Sequence, residues 1–245
     1  MSLKRTAATT RRILLQVRHD PRTIALMIVL PCLLMALVRY MFDHDRTLFS
    51  TIGPQMLGIF PSLLMFIITS VTMLRERSSG TLERLMTTPL AKLDLLAGYV
   101  FAFGLIALGQ AVLTCLFSFG PLGLQVHHGA LAVVAFAIAG ALLGSTLGVF
   151  LSAFAETEFQ AVQFMPAVFL PQFTLSGLFV NHNHLPALLR LLADVLPLYY
   201  VVDGIQRELR PTPDGWLVAR DAIVVIGCAG LALLLGAATL RRRTA

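Results

Sequence analysis

Apolar and polar positions along this chain fall in long blocks. Apolar runs cover about Arg22 to Phe42, Ile52 to Leu74, Leu95 to Phe119, Ala130 to Phe154, Ala161 to Val180 and Ala222 to Leu240. Each is near the roughly 20 residues that a helix needs to cross the hydrocarbon core of a bilayer. The pattern predicts an all-α membrane protein with six transmembrane helices, a single domain over 22–245. Ahead of the first run, Leu3, Ala7, Leu14 and Val17 share one helix face, with Lys4, Arg5, Arg11, Arg12 and Arg18 elsewhere. Residues 1–21 therefore read as a basic amphipathic helix lying on an anionic leaflet. Asp20-Pro21 ends it, because the residue before proline disfavours the α region. The long apolar run that follows has no small-residue cleavage pattern, so this segment is expected to be retained and not cleaved as a signal.

Between the second and third runs the pattern changes. Arg75-Glu-Arg-Ser-Ser-Gly-Thr-Leu-Glu-Arg-Leu-Met-Thr-Thr-Pro-Leu90 is charged and helix-forming. Gly80 breaks the backbone, and Ser79 or Thr81 supplies a cap. Leu82, Leu85 and Met86 then fall at i, i+3 and i+4 on one stripe, with Glu83 and Arg84 off it. Pro89 stops the helix. Over about 79–88 this gives two turns, too short to be stable alone in water. Such a tethered stripe suits a groove on a partner protein. The alternative is a helix lying on the lipid surface, which Arg75, Arg77, Arg84 and Lys92 would also favour.

The residues Glu76, Arg77, Gly80, Thr81, Leu82, Glu83, Leu85, Thr88 and Pro89 resemble the coupling helix of ABC-2 type transporter permeases. Ser78 and Ser79 stand where that family often has charge. The resemblance implies that this helix, Met86 included, docks on a separate ATPase subunit. It implies two ATPase copies and a second, identical or homologous permease subunit. It also implies that ATP and Mg bind on the ATPase, with no cofactor in this chain. The N-terminal helix takes the place of the family's interfacial elbow, and the cargo class would be an amphipathic drug, a lipid or a glycan leaving the cell.

A second match lies late in the chain. Leu185, Leu188, Leu189 and Leu192 form a helical apolar stripe, followed by Leu196-Pro-Leu-Tyr-Tyr-Val-Val-Asp-Gly-Ile-Gln-Arg207. This resembles the stretch ahead of the last span in the same permeases. The resemblance implies short external re-entrant helices over about 185–210, with Pro197, Tyr199, Tyr200, Asp203 and Arg207 at an outer gate. Tyr199 and Tyr200 suit a membrane interface, and Asp203 and Arg207 are one helical turn apart.

Within the spans, Gly140, Gly144, Gly148 and Ser152 recur at four-residue steps, a small face that lets another helix approach. That face serves either packing inside the subunit or a contact between subunits. Gln163, Pro166, Pro171 and Gln172 interrupt the fifth span and mark a candidate wall of a translocation path. Gln110 and Thr114 interrupt the third and read as interhelical hydrogen-bonding groups. Glu156 and Glu158 sit in the turn before the fifth span, either solvated, capping the next helix or facing the ATPase.

Composition narrows the classes. The chain is 57% hydrophobic and 13% charged over 245 residues, with a mean hydropathy of +0.80. A soluble domain carries about a quarter charged residues. The net charge of +6 comes from bases beside spans, which signals topology and not nucleic acid. Thirteen of the 19 Lys and Arg fall in the N-terminal tail, the central loop and the C-terminus. Both termini and the coupling stretch are thus expected on the cytoplasmic side of a cell membrane. Cys32, Cys115 and Cys228 lie in apolar runs and read as packing residues. His127, His128, His182 and His184 have no acid or cysteine at ligand spacing, so no metal site is expected. No phosphate loop, His-Glu-x-x-His or Gly-x-Ser-x-Gly occurs in the sequence. A membrane-embedded lipid-modifying enzyme would need ionisable groups at membrane depth, and the six runs hold almost none. A non-transporting anchor or sensor is the other alternative, and it would not need a docking helix.

Overall fold

The computed structural model describes residues 3–80, 92–126 and 128–239. Among these residues the fold is all-helical. In chain order the helices are α1 (Leu3–Arg18), α2 (Pro21–Met41), α3 (Arg46–Ser78), α4 (Lys92–Phe119), α5 (Ala130–Leu151), α6 (Glu158–Thr174), α7 (Ala187–Val195), α8 (Pro197–Glu208) and α9 (Gly215–Thr239). Short 3-10 turns at Ser152–Phe154 and His182–His184 join some of them.

Among the described residues, five segments are long and apolar enough to cross a membrane: Thr23–Met41, Arg46–Ser78, Ala97–Phe119, Ala130–Phe154 and Gly215–Thr239. The expected fifth span is shorter than the rest. α6 has 17 residues, about 25 Å at 1.5 Å per residue, against a hydrocarbon core of about 30 Å. Pro166 and Pro171 lie inside it, and the chain leaves the helix at Leu175.

α3 is the axis of the bundle. Its 33 residues run about 50 Å, well beyond the hydrocarbon thickness. Asp45 caps its start, accepting from the backbone N–H groups of Thr47 and Leu48. Pro54 and Pro61 sit inside it without ending it, since the buried helix is held from all sides. Phe49, Leu57, Ile59, Met65, Phe66 and Met73 are almost wholly buried along its length.

The seam between α3 and α5 explains the small-residue steps. A Cβ on Gly140 would come 2.7 Å from the Gly58 carbonyl oxygen. One on Gly144 would collide with the Ser62 carbonyl, and one on Gly148 with the Thr69 hydroxyl and Phe66 carbonyl. Contacts advance together along both helices, so α3 and α5 run parallel. The Thr69 hydroxyl lies 2.6 Å from its own helix's Met65 carbonyl and 3.0 Å from the Ser145 carbonyl across the seam. Ser152, next in the series, is fully buried just beyond α5. Gly140, Gly144 and Gly148 thus lie against α3 of the same chain.

The two ends of the bundle differ. One carries α1, the close of α3 and the start of α4; the other carries α7 and α8.

Candidate functional site: two polar clusters at opposite ends of the bundle

At the α1 end, the last turns of α3 place Glu76 inward, with only 3% of its side chain exposed. The Tyr99 hydroxyl on α4 donates to its Oε2 at 2.8 Å. Arg12 on α1 reaches the same oxygen at 3.2 Å and donates to the Tyr99 hydroxyl at 2.8 Å. Three helices thus meet on one carboxylate. The approach of α1 to α4 is close enough to need a glycine: a Cβ on Gly98 would stand 2.5 Å from that of Thr9. Beside it, Thr10 Oγ1 lies 3.2 Å from the Gly98 carbonyl oxygen.

Arg75, one residue earlier on α3, is half-exposed. Its Nε and Nη2 meet the two carboxylate oxygens of Glu158 at 2.7 and 2.9 Å, a bidentate fork. This pair joins the close of α3 to the start of α6, where Thr157 caps by accepting from Gln160 N–H. The guanidinium hydrogen bonds hold the Glu158 carboxyl below its ordinary range. Arg77 is different: its Nε and Nη2 are buried with no hydrogen-bond partner among the described residues. Gly80 then takes φ +66°, the left-handed conformation in which helices commonly end. Thr81, Leu82, Glu83, Leu85, Met86 and Pro89 of the coupling stretch lie outside the described residues.

At the α8 end, two acids and two guanidiniums form a charge-balanced set, in which the buried Asp221 Oδ2 makes an ion pair but no hydrogen bond. Arg207 Nη2 is 2.7 Å from Asp203 Oδ2, and its Nε is 3.2 Å from Asp221 Oδ2. Arg220 Nη2 is 2.6 Å from Asp221 Oδ1 and 3.7 Å from Asp203 Oδ2. Asp221 has no exposed surface. The set ties α8 to the first turns of α9. Pro197 opens α8, where its missing N–H is no loss. Tyr200 donates to the Asp194 carbonyl at 2.7 Å, and the Arg220 guanidinium lies 5.7 Å from the Tyr200 ring centroid. Tyr199 stacks on His182, which pairs with Asp194 at 2.8 Å. Burial, reinforced by the charge of Asp203, pushes the Tyr199 phenol above its ordinary value, so it stays protonated.

The fifth-span residues separate. Gln163, Pro166 and Pro171 are exposed on the outward face of α6. Gln172 is buried and turned inward, where its Oε1 accepts from the Leu198 N–H at 3.2 Å. It thus anchors the start of α8. Asp221, Arg12 and Tyr99 escaped the sequence reading. A lone acid in an otherwise apolar span was the available signal for Asp221. Nothing in the sequence pairs Arg12 with Glu76, because the contact depends on how α1 folds back.

The family profile described as "ABC-2 type transporter" matches residues 5–207. Among curated proteins, the chain is similar to the probable multidrug ABC transporter permease YbhS of Escherichia coli K12, with 29% identity over 171 residues. The same protein of Escherichia coli O157:H7 matches equally. The match covers 69% of this chain and 45% of the relative, so the chain spans less than half the length of the curated relatives it matches.

Proposed function

Because this chain belongs to the ABC-2 type transporter family, we propose that it is the membrane-spanning permease subunit of an ATP-driven exporter. The family match over most of the chain carries the reading. Catalysis of ATP hydrolysis falls to a separate ATPase that holds ATP and Mg; two ATPase copies and two permease halves make the assembly. The α1 end faces the cytoplasm with both termini, as the distribution of Lys and Arg favours. α6, continued by residues 175–180, serves as the remaining crossing, making six. The names of the similar proteins favour an amphipathic drug as cargo over a lipid or glycan.

In this reading, residues 79–88 dock on the ATPase through Leu82, Leu85 and Met86. ATPase closure moves that stretch, and Gly80 passes the motion to the end of α3. The Arg12–Glu76–Tyr99 cluster makes α1 and α4 move with α3. The tight α3–α5 seam carries the displacement to α8, whose Asp203–Arg207–Arg220–Asp221 set holds the outer gate. ATP binding then shifts the population between inward- and outward-open forms. In the same reading, the exposed face of α6, bearing Gln163, Pro166 and Pro171, lines the path between two permease halves.

The test is purification of the chain with its co-expressed ATPase, followed by reconstitution. ATP-dependent movement of a fluorescent amphipathic dye out of the compartment facing the α1 end supports the reading. A chain that purifies without an ATPase, or a complex whose ATP hydrolysis never moves an amphipathic dye, lipid or glycan probe, points instead to an anchor or sensor. Single cysteines from 185 to 210, in a background lacking the three native ones, check orientation. Labelling from outside by an impermeant thiol reagent with helical periodicity fits, and labelling from the cytoplasm alone contradicts it.

A further inference from the structure

α6 joins the two ends of the bundle by a second route, beside the α3–α5 seam. It is held at three places. At its start, Glu158 takes the bidentate fork of Arg75 from the close of α3. Further along, Phe169 packs edge-on against Phe66 of α3, with ring centroids 5.3 Å apart and both rings buried. At its far end, Gln172 meets α8. From 158 to 172 the helix rises about 21 Å. Pro166 and Pro171 lie in between. Each removes one rung of the backbone ladder, so the helix can bend there.

Gln172 supplies what the start of α8 lacks. The N-cap residue Leu196 makes no side-chain capping bond, and Pro197 at the first position has no N–H. The first N–H that needs a partner is that of Leu198, which is fully buried. A buried donor left unpaired is costly. Its acceptor is Gln172 Oε1 at 3.2 Å, 26 residues earlier in the chain. The same amide is fixed to α6, donating from Nε2 to the Val168 carbonyl at 3.1 Å. Gln172 is 3% exposed, so water does not take over the cap. Gln206, late in α8, donates to the Gly177 carbonyl at 3.3 Å, which keeps the chain leaving α6 alongside α8.

We propose that α6 is a strut between the α1 end and α8, and that Gln172 is the positioning residue through which it sets the start of α8. Displacing the close of α3 draws on Glu158, α6 bends at its prolines, and Gln172 seats or releases the Leu198 N–H. The seating of α8 thus depends on an ion pair at the opposite end of the bundle. Only the role of α8 as a gate rests on the exporter reading.

The experiment follows amide hydrogen exchange by mass spectrometry, on the full chain in phosphatidylcholine nanodiscs. No ATPase is present, so failure here would leave the exporter reading standing. Wild type should exchange slowly over 196–204. Gln172→Leu keeps the volume and removes the acceptor, and exchange in the first turn of α8 should rise about tenfold. Gln172→Glu keeps an acceptor oxygen and should recover part of that protection. Glu158→Arg sets like charges against each other at Arg75. It should raise exchange over 196–204 by about two- to fivefold, the most that an exposed pair imposes on an equilibrium. Adding Arg75→Glu restores the pair and should restore the protection. In the Gln172→Leu background, Glu158→Arg should add nothing further, whereas unconnected sites this far apart would multiply their effects. The charge swap decides the matter by itself should Gln172→Leu fail to fold. An effect of Glu158→Arg confined to 158–165, or one of equal size with and without Gln172, would overturn the proposal. So would a parallel rise over 224–232 of α9, which would mean that the whole chain loosens.

Discussion

The two ends of the bundle solve the same problem differently. At the α8 end, Asp203, Arg207, Arg220 and Asp221 balance in number and ion-pair with one another, Asp221 Oδ2 doing so without a hydrogen bond. At the α1 end, one buried carboxylate is shared by Arg12 and Tyr99, Arg75 holds a half-exposed partner, and Arg77 is left unmatched. The α8-end charges compensate one another within the chain, and the set ties two helices together. The α1 end has more guanidiniums than paired acids among the described residues. Under the proposed function, the α8 end would serve as the gate and the α1 end as the surface that receives a partner.

The comparison breaks first at Asp221. Removing one partner from a buried ionic set leaves charge without compensation, so Asp221→Ala should cost about 3–5 kcal/mol. Thermal unfolding in detergent checks this; a wild-type melting temperature would mean that the set does not tie the helices together. An apolar replacement of the pair, Arg220→Met with Asp221→Leu, should recover most of the loss, since Asp203 and Arg207 keep each other.

Next is the seam that joins the two ends. Gly144→Leu would drive a side chain into the Ser62 carbonyl, and overpacking of this kind costs about 1–3 kcal/mol or more. Leu142→Phe, on a half-buried side of α5, should cost less. Equal melting temperatures would show that motion at one end need not reach the other through α3 and α5.

Smaller still is Glu76→Gln. The amide keeps the bond from Tyr99 and loses the charge facing Arg12, which is a third exposed and can rehydrate. About 1.5 kcal/mol is expected, well below Asp221→Ala, because the α1 end is the looser one. A loss as large as that of Asp221→Ala would erase the contrast.

The smallest effect belongs to Arg75 and Glu158. Exposed pairs contribute about 0–1 kcal/mol. The Glu158 carboxyl is held below its ordinary range by Arg75. Its contribution is therefore whole above the ordinary carboxylate pKa and is lost as pH falls through the depressed value. Comparing wild type with Glu158→Gln across that acid window should show a small difference that closes at low pH and shrinks in salt. A difference that persists at low pH would show that the pair's charge is not its cause.

How much of this was legible in the sequence follows from what each feature depends on. The long helices were legible because hydrocarbon demands about 20 apolar residues and internal backbone bonding. The two short helices meeting at Pro197 were legible because proline cannot extend α7. The Asp203–Arg207 pair follows from helical spacing alone. Asp221 and Arg12 were not legible as partners, since each meets its counterpart across helices whose placement no local pattern encodes. The inward turn of Glu76 likewise depends on the phase of α3, which continues to Ser78 instead of ending near Leu74. The length of the fifth span was misleading as read: Ala161 to Val180 is apolar enough, but the helix stops at Thr174, shortly after Pro171.

The account turns on the α1 end being completed by an ATPase through the coupling stretch. Leu82→Asp and Leu85→Asp place an unpaired charge on the stripe that would be buried in that contact. The decisive measurement is how much ATP-hydrolysing subunit co-purifies with each variant, at matched membrane expression. The account predicts normal insertion, loss of the ATPase from the complex and loss of ATP-driven transport. Retention of the ATPase with unchanged transport in both variants would contradict it.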